Sequence, residues 1–195
     1  MRLFWIAPVL TLLLCGCSMT RTMDFAVPAP DPRPVSALNK VISLNVSVSD
    51  KRIDRTSIGI TDGGSKHFTV IPNPNLDKSV ELGVKNEVKA RGITLADGPA
   101  FLLVDILKAD SQTRIVPFNV DVAVQASLSA QVMDANGRQY YQRTYERNEA
   151  GKGEAWTMDT VEQGGFRMEK VLAELIREMF EDDQLVQALA TASRH

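Results

Sequence analysis

The chain has few cysteines and histidines, and both shortages narrow the chemistry open to it. Its two cysteines, Cys15 and Cys17, lie near the amino end, so the rest of the chain has no thiol for a disulfide or a cysteine-ligated metal. The two histidines are His67 and the last residue, His195. A two-histidine metal site would need an ordered chain terminus, so we predict neither a metal nor a cofactor.

Charge and sequence motifs exclude further classes of function. The formal net charge is −2 and no basic face stands out, so nothing in the sequence supports nucleic-acid binding. The sequence has no phosphate-binding glycine loop, no dinucleotide-binding glycine pattern and no GxSxG nucleophile motif. A Ser-His-Asp triad would depend on His67 alone. We therefore predict that the protein is not an enzyme.

Long apolar runs are also absent, except at the amino end. Residues 3–14 form an apolar run that is interrupted only by Pro8 and Thr11 and is preceded by Arg2. A run of this length is short for a membrane span and is typical of the central region of a signal peptide. We therefore predict a signal peptide at residues 1–16.

The residues that end this segment predict lipid attachment. Leu14-Cys15-Gly16-Cys17 resembles the lipobox of bacterial lipoproteins, in which Leu, a small residue, and Gly or Ala precede the modified cysteine. The resemblance implies diacylglycerol on the Cys17 thiol, cleavage after Gly16, and acylation of the new amino group by a fatty acid such as palmitate. Cys15 departs from the usual Ala or Ser but is small enough for its position. An ordinary secretory signal or an uncleaved amino-terminal anchor is the alternative.

The segment after the lipobox has the composition of a tether. Proline occupies every second position from Pro28 to Pro34, which favours an extended polyproline II spacer. We predict that residues 17–38 comprise the lipidated Cys17 and this proline-rich tether, with a proline-motif ligand for a partner as the alternative. Ser18 follows the lipidated position, and in enteric lipoproteins a serine there permits sorting to the outer membrane. We therefore expect an outer-membrane anchor that faces the periplasm.

Residues 39–195 have the length and composition of a single periplasmic domain of the α+β class. Apolar residues at every second position, with Asn136-Gly137 as a hairpin turn, predict strands at 41–48, 101–107, 116–133 and 138–149. Apolar residues at helical spacing predict a helix at 76–91 and a longer one at 158–181, which Gly164-Gly165 should weaken or bend. We predict two layers, a mostly antiparallel sheet with two main helices on one face.

The densest charged cluster follows the first predicted strand and consists of Asp50, Arg52, Asp54 and Arg55. Each aspartate has an arginine near it in sequence, which favours an ion pair. We interpret the cluster as a hydrogen-bonded loop that fixes the edge of the strand. A partner-binding surface and a pair of carboxylates for acid/base catalysis are the alternatives.

The whole pattern resembles the YajG family of bacterial lipoproteins. The resemblance rests on Asp50-Lys51-Arg52-Ile53-Asp54, Lys89-Ala90-Arg91-Gly92 at the end of the first helix, the strands around residues 41–48 and 120–132, and the lipobox. It implies an anchored periplasmic α+β domain and carries over no catalytic residue and no cofactor. The Gly164-Gly165 pair and the proline-rich linker depart from the family pattern.

Two functions remain as hypotheses. The first is a non-enzymatic envelope lipoprotein that is held to membrane lipid through Cys17 and acts as a binding or accessory module for an envelope protein or glycan. The second is a carboxylate-dependent hydrolase of envelope polymers that uses Asp50 and Asp54. The lack of a plausible catalytic set favours the first.

Overall fold

Apolar residues at every second position form most of the strands, and apolar residues at helical spacing form the helices. The structure is a computed structural model that describes residues 18–29, 43–64, 66–153 and 160–194. Its strands are β1 (Ser18–Asp24), β2 (Leu44–Asp50), β3 (Gly59–Asp62), β4 (His67–Asn73), β5 (Ala100–Val116), β6 (Asn119–Asp134) and β7 (Gln139–Gly153). Its helices are α1 (Leu76–Ala90), α2 (Gln163–Glu181) and α3 (Asp183–Ala192).

The strands form one open, mixed sheet in which antiparallel pairing predominates by length. The strand order is β1-β4-β3-β5-β6-β7, and β2 pairs with β5 as well. The long β5–β6 and β6–β7 pairs are antiparallel, as is β3–β4. β1 runs parallel to β4, and both β2 and β3 run parallel to β5. The predicted α+β class and mostly antiparallel sheet are confirmed. A short third helix, α3, follows the second of the two main helices.

The core is built around β6, whose clear two-residue period buries every second side chain. Its buried side chains are Val120, Val122, Val124, Ala126, Leu128, Ala130 and Val132. α2 contacts β5, β6 and β7, α3 contacts β6 and β7, and α1 contacts β2 and α2. Burial of such apolar surface contributes about 25 cal/mol per Å², which makes this the main source of stability. No helix in the described ranges has the length and apolar character needed to cross a membrane.

Three local predictions are confirmed closely. The helix predicted at 76–91 is α1, whose stripe of valines and one leucine is buried. The Asn136-Gly137 turn joins β6 to β7, and Gly137 has a φ of 80°, which suits glycine. The first strand in the domain was predicted at 41–48 and is observed as β2, while residues 41 and 42 lie outside the described residues.

Residues 18–29 belong to the fold, which corrects their assignment to the tether. β1 pairs with β4 along its whole length, from Ser18 opposite His67 onwards. Met23, Phe25 and Val27 are all buried, with Phe25 only 2% exposed. The burial of these three apolar side chains outweighs the entropy that a free tether would keep. Residues 30–38, the rest of the predicted tether, lie outside the described residues.

After β1, hydrogen bonds hold the chain to α1 and α2. The Phe25 amide donates to the Asn73 carbonyl at 2.9 Å, and the Phe25 carbonyl accepts from Ser79 Oγ of α1 at 2.9 Å. The Ala26 amide donates to Glu169 Oε1 of α2 at 2.8 Å. These bonds tie the segment to β4, α1 and α2. The folded domain therefore includes the chain from Ser18, the first described residue, onwards.

Gly164 and Gly165 let the start of α2 approach the sheet closely. They lie in the first turn of α2, not in the interior of a helix at 158–181, because α2 begins at Gln163. A Cβ on Gly164 would lie 2.6 Å from Thr113 Oγ1 of β5, and one on Gly165 would lie 2.0 Å from Met23 Sδ. The pair is thus a packing feature that leaves the rest of α2 unbroken.

A buried ion pair joins the ends of α1 and α2. Arg91 follows α1, and its Nε donates to Glu87 Oε1 at 2.6 Å, with both side chains almost fully buried. The Arg91 Nη1 donates to the carbonyl of Phe180 in the last turn of α2 at 3.1 Å, and the guanidinium lies 5.6 Å from the Phe180 ring centroid. A carbonyl in the last turn of a helix lacks a hydrogen-bond donor within its own helix, and Arg91 supplies one to Phe180. Because Arg91 also pairs with Glu87 of α1, it links the ends of the two helices.

Candidate functional site

The four charged residues predicted as a cluster come together in one loop, residues 50–57, here called the Arg52 loop. Arg52 is 7% exposed, and its Nε and Nη2 contact the Asp50 carboxylate at 2.8–3.1 Å. Its Nη1 donates to the Ser57 carbonyl at 2.6 Å and to the Ala109 carbonyl of β5 at 3.1 Å. A two-pronged, charge-assisted contact of this kind fixes orientation as well as charge. Arg52 therefore holds the loop to the middle of β5.

The remaining charges close the Arg52 loop on itself. Asp54 accepts from the Thr56 amide at 2.9 Å, from Thr56 Oγ1 at 2.6 Å and from Ser57 Oγ at 2.7 Å. These hydrogen bonds hold the pKa of the Asp54 carboxyl group well below its usual range. Arg55 Nε donates to the Arg52 carbonyl at 3.3 Å. This geometry favours a fixed loop over an acid/base pair, because an acid catalyst needs a raised pKa.

A second polar cluster lies between β7 and the helices. For the tyrosines of β7 the sequence leaves ligand binding and cross-strand packing equally open, and the structure buries Tyr141 and Tyr145. Their hydroxyls lie 2.7 Å and 2.9 Å from Asp182 Oδ2, and 2.6 Å from each other. Arg143 Nη1 donates to the same oxygen at 2.7 Å. We call these four residues the Asp182 cluster.

The Asp182 cluster has the shifted pKa values of a catalytic site but is fully engaged in structural contacts. Burial acts to raise the pKa of the Asp182 carboxyl group, but hydrogen bonds from Tyr141, the Gln184 amide, Tyr145 and Arg143 outweigh it and lower the pKa to about 2. Burial also raises the pKa of Tyr145 above its usual range. Asp182 caps α3 by accepting from the Gln184 amide at 2.8 Å. The cluster thus fixes the α2–α3 junction on β7.

An open groove lies over the carboxyl-terminal halves of β3, β5 and β7 and the start of β6. It encloses about 720 Å³ and is lined chiefly by Ile60, Asp62, Gln112, Arg114, Asp121 and Lys152. Carboxylates, cations and an amide share this lining with Ile60, Ala123 and Ala150, and most of its exposed surface is apolar, which suits a partner that has apolar as well as polar groups. We call it the sheet groove. The sequence analysis missed it, although alternating polar residues in β5 were the available signal.

The other residues singled out in the sequence are scattered. His67 begins β4, with its Nδ1 3.5 Å from Asp62 Oδ1. Gly16, Cys17 and His195 lie outside the described residues, so the predicted lipidation and cleavage positions stay predictions. Ser18, the residue covalently bonded to Cys17, is the first residue of β1. The structure thus describes the chain up to the residue next to the predicted anchor.

Comparison with known proteins gives a family match and a fold match. The model of a protein family described as "uncharacterized lipoprotein" matches residues 29–190, and this description names no enzymatic activity. No curated protein sequence matches the chain.

Solved structures of bacterial proteins are similar to this chain at low sequence identity. Protein XCC0632 of Xanthomonas campestris is 13% identical, with a TM-score of 0.53, over 88% of this chain and 96% of that one. A minor lipoprotein of Acinetobacter baumannii is also 13% identical, with a TM-score of 0.44, over 75% of this chain and 93% of that one. At such identities the first likeness establishes a shared fold and nothing more.

Proposed function

This chain belongs to the family of uncharacterised lipoproteins, as its resemblance to YajG proteins predicts, and from that premise we propose how it is anchored and what it does. Membership implies a lipid-anchored protein of the cell envelope. We propose that acylated Cys17 is the anchor and that the domain is a non-enzymatic binding or accessory module in the periplasm. Ser18 after the modified cysteine supports an outer-membrane location.

The observation that carries the proposal is the lipobox directly before the fold. Leu14-Cys15-Gly16-Cys17 ends an apolar run of signal-peptide length, and Ser18 already pairs in the sheet. Two or more acyl chains hold a protein firmly to a bilayer, at about 0.8 kcal/mol for each buried CH₂ group, whereas one chain binds marginally. A triacylated Cys17 would therefore be a permanent anchor for a domain without a membrane-spanning helix in its described residues.

Metabolic labelling distinguishes the two cysteines. In cells fed an alkyne analogue of palmitate, we expect the protein to carry the label and to sediment with membranes. Cys17→Ser should abolish the label, because serine lacks the thiol that accepts diacylglycerol. Cys15→Ser is the matched control and should keep the label, since a serine is usual at that position. Label that persists in Cys17→Ser would contradict the proposed anchor.

The binding role is supported by the open side of the sheet. We propose two layers, with the helices on one face and the sheet groove on the other. The alternation in β6 supports this arrangement, because Asp121, Ala123 and Gln125 are exposed while the residues between them are buried and β6 contacts α2 and α3. A face with small and polar side chains and both signs of charge suits an envelope protein or glycan.

Crosslinking in intact cells tests the binding role. A photo-crosslinking amino acid at Gln112, an exposed position in the sheet groove, should give a discrete adduct with an envelope protein or glycan. The matched control is Leu82, which is exposed on α1 outside the groove and should give no such adduct. Identical products from both positions, or none from Gln112, would speak against the sheet groove as the binding surface. Mass spectrometry of the adduct identifies the partner.

A further inference from the structure

We infer that the end of the sheet where β1 begins lies against the membrane and that the turn between β5 and β6 inserts Phe118 into the lipid interface. The inference deepens the proposed function and rests on the acylation of Cys17. It follows from the position of Ser18 in the sheet and from an apolar surface at the same end.

Strand register places Ser18 and the end of β5 in one transverse row. Ser18 pairs with His67, and His67 pairs with Asp62. Asp62 pairs with Arg114 near the end of β5. β1 starts at this row while β5 runs towards it and past it, so Cys17 and the β5–β6 turn leave the sheet at the same end. Three strand spacings, about 14 Å, separate β1 from β5. We call this edge the Ser18 end.

The β5–β6 turn carries an apolar run that projects beyond the row. Ile115 and Val116 are half-buried, Pro117 is exposed, and Phe118 is 86% exposed at the tip. The tip lies past Arg114 by a further two to three residues, about 7–10 Å along the strand direction. A phenylalanine ring that is exposed at the tip of such a turn leaves a large apolar surface in water. Contact with lipid would bury that surface.

The backbone conformation at Phe118 is one that a large side chain rarely adopts. Its φ is 67°, in the left-handed region, and it follows Pro117 at the second central position of the turn. Glycine or asparagine is preferred at such a position because a large side chain is strained there. Strain of this kind is retained where the side chain has a use. An aromatic ring at the boundary between headgroups and acyl chains is a favourable arrangement.

Other groups at the Ser18 end are compatible with a lipid surface. Lys66, Arg114 and Lys152 are exposed there, alongside Asp62 and Asp121. Among the described residues named here, three cations exceed two carboxylates by one charge, so their attraction to anionic headgroups would be weak. Apolar contact by the β5–β6 turn therefore carries the interaction.

Exposed apolar residues elsewhere provide matched controls. Ile53 is fully exposed at the tip of the Arg52 loop. The neighbouring Arg52 binds the Ala109 carbonyl, five residues and about 17 Å along β5 from Arg114. Ile53 therefore lies far from the Ser18 end. A single exposed apolar residue is common on protein surfaces and predicts no lipid contact.

Tryptophan quenching in vesicles tests the inference. The acylated, full-length mature protein is reconstituted in phosphatidylcholine vesicles that contain lipids brominated along the acyl chain. In a Trp156→Phe background the introduced indole is the only one in the mature chain, because the other tryptophan, Trp5, lies in the predicted signal peptide. Phe118→Trp should be quenched about twofold or more, as an interfacial ring would be. Ile53→Trp should not be quenched.

Vesicle flotation separates the two proposals. If the acylated protein does not float with the vesicles, the anchor at Cys17 is wrong. If it floats and the indole of Phe118→Trp is quenched no more than that of Ile53→Trp, the anchor stands and the inferred orientation is wrong. A wild-type measurement avoids dependence on either variant: a photoactivatable phospholipid should label the tryptic peptide 115–138, which contains the turn. Labelling spread evenly over surface peptides would overturn the inference.

Discussion

Replacing Phe25 with alanine is expected to lower the free energy of unfolding by about 3–5 kcal/mol, the usual cost of truncating a buried phenylalanine. Phe25 directly follows β1 and is 2% exposed. It belongs to the same hydrophobic core as Met23 of β1. A tether would lose nothing from the same change, because its side chains lie in water. Urea unfolding of the acylated protein in detergent, followed by circular dichroism, measures the difference.

Met19→Ala is the matched control for that experiment. Met19 lies on β1 but is 45% exposed, so its truncation should change the free energy of unfolding by about 0.5 kcal/mol or less. Equal, small effects at Met19 and Phe25 would restore the interpretation of residues 18–29 as a tether.

Replacing Asp182 with alanine is expected to cost about 2–4 kcal/mol at neutral pH. The change removes the cap of α3, worth about 1 kcal/mol, and leaves two buried tyrosine hydroxyls without their acceptor, at about 1–3 kcal/mol. Asp183→Ala is the control, because Asp183 is exposed in the first turn of α3 and its loss should cost about 0.5 kcal/mol or less.

The same carboxylate predicts how stability depends on pH. The pKa of Asp182 is lowered to about 2 in the fold, against about 3.9 in an unfolded chain. A group with a depressed folded pKa stabilises the protein above its unfolded pKa, and that contribution is lost as the pH falls from about 4 to about 2. The wild type should therefore lose its advantage over Asp182→Ala across this range. A difference that stays constant down to pH 2 would contradict the assigned role of Asp182.

The elements with strong apolar periods could be predicted from the sequence. The alternating valines of β6, the four-residue stripe of α1 and the Asn136-Gly137 turn gave the correct structures because local pattern and tertiary burial agree there. The proposed lipobox is also a local pattern of a few adjacent residues, but it lies outside the described residues and stays a prediction. The Arg52 loop was also recognised from its alternating charges.

What the sequence analysis missed depends on distant partners. The second half of β5 buries Ala109, Ser111 and Thr113, which are too small or too polar to mark a strand on their own. β1 is mostly polar, and its place in the sheet is set by pairing with β4, far along the chain. The sheet groove and the Asp182 cluster likewise arise only when strands and helices meet. Close approach of α2, through Gly164 and Gly165, is visible only once the sheet is present.

The revised boundary changes the expected geometry at the membrane. A tether over residues 17–38 would hold the domain away from the lipid, whereas pairing from Ser18 leaves no spacer between Cys17 and the sheet. With Cys17 acylated as proposed, the Ser18 end, with the exposed Phe118 at its tip, would lie next to the acyl chains. The sheet groove would open close to the lipid surface, where a partner that is itself embedded in or attached to the membrane can reach it.

Mass spectrometry of the mature amino terminus tests the account most directly. The protein is extracted from cell membranes, digested, and its amino-terminal peptide is sequenced. We predict that this peptide begins with Cys17 carrying diacylglycerol on its sulfur and a fatty acid on its amino group, followed directly by Ser18. A mature chain that begins at any other residue, or an unmodified Cys17 in protein taken from membranes, would contradict the account.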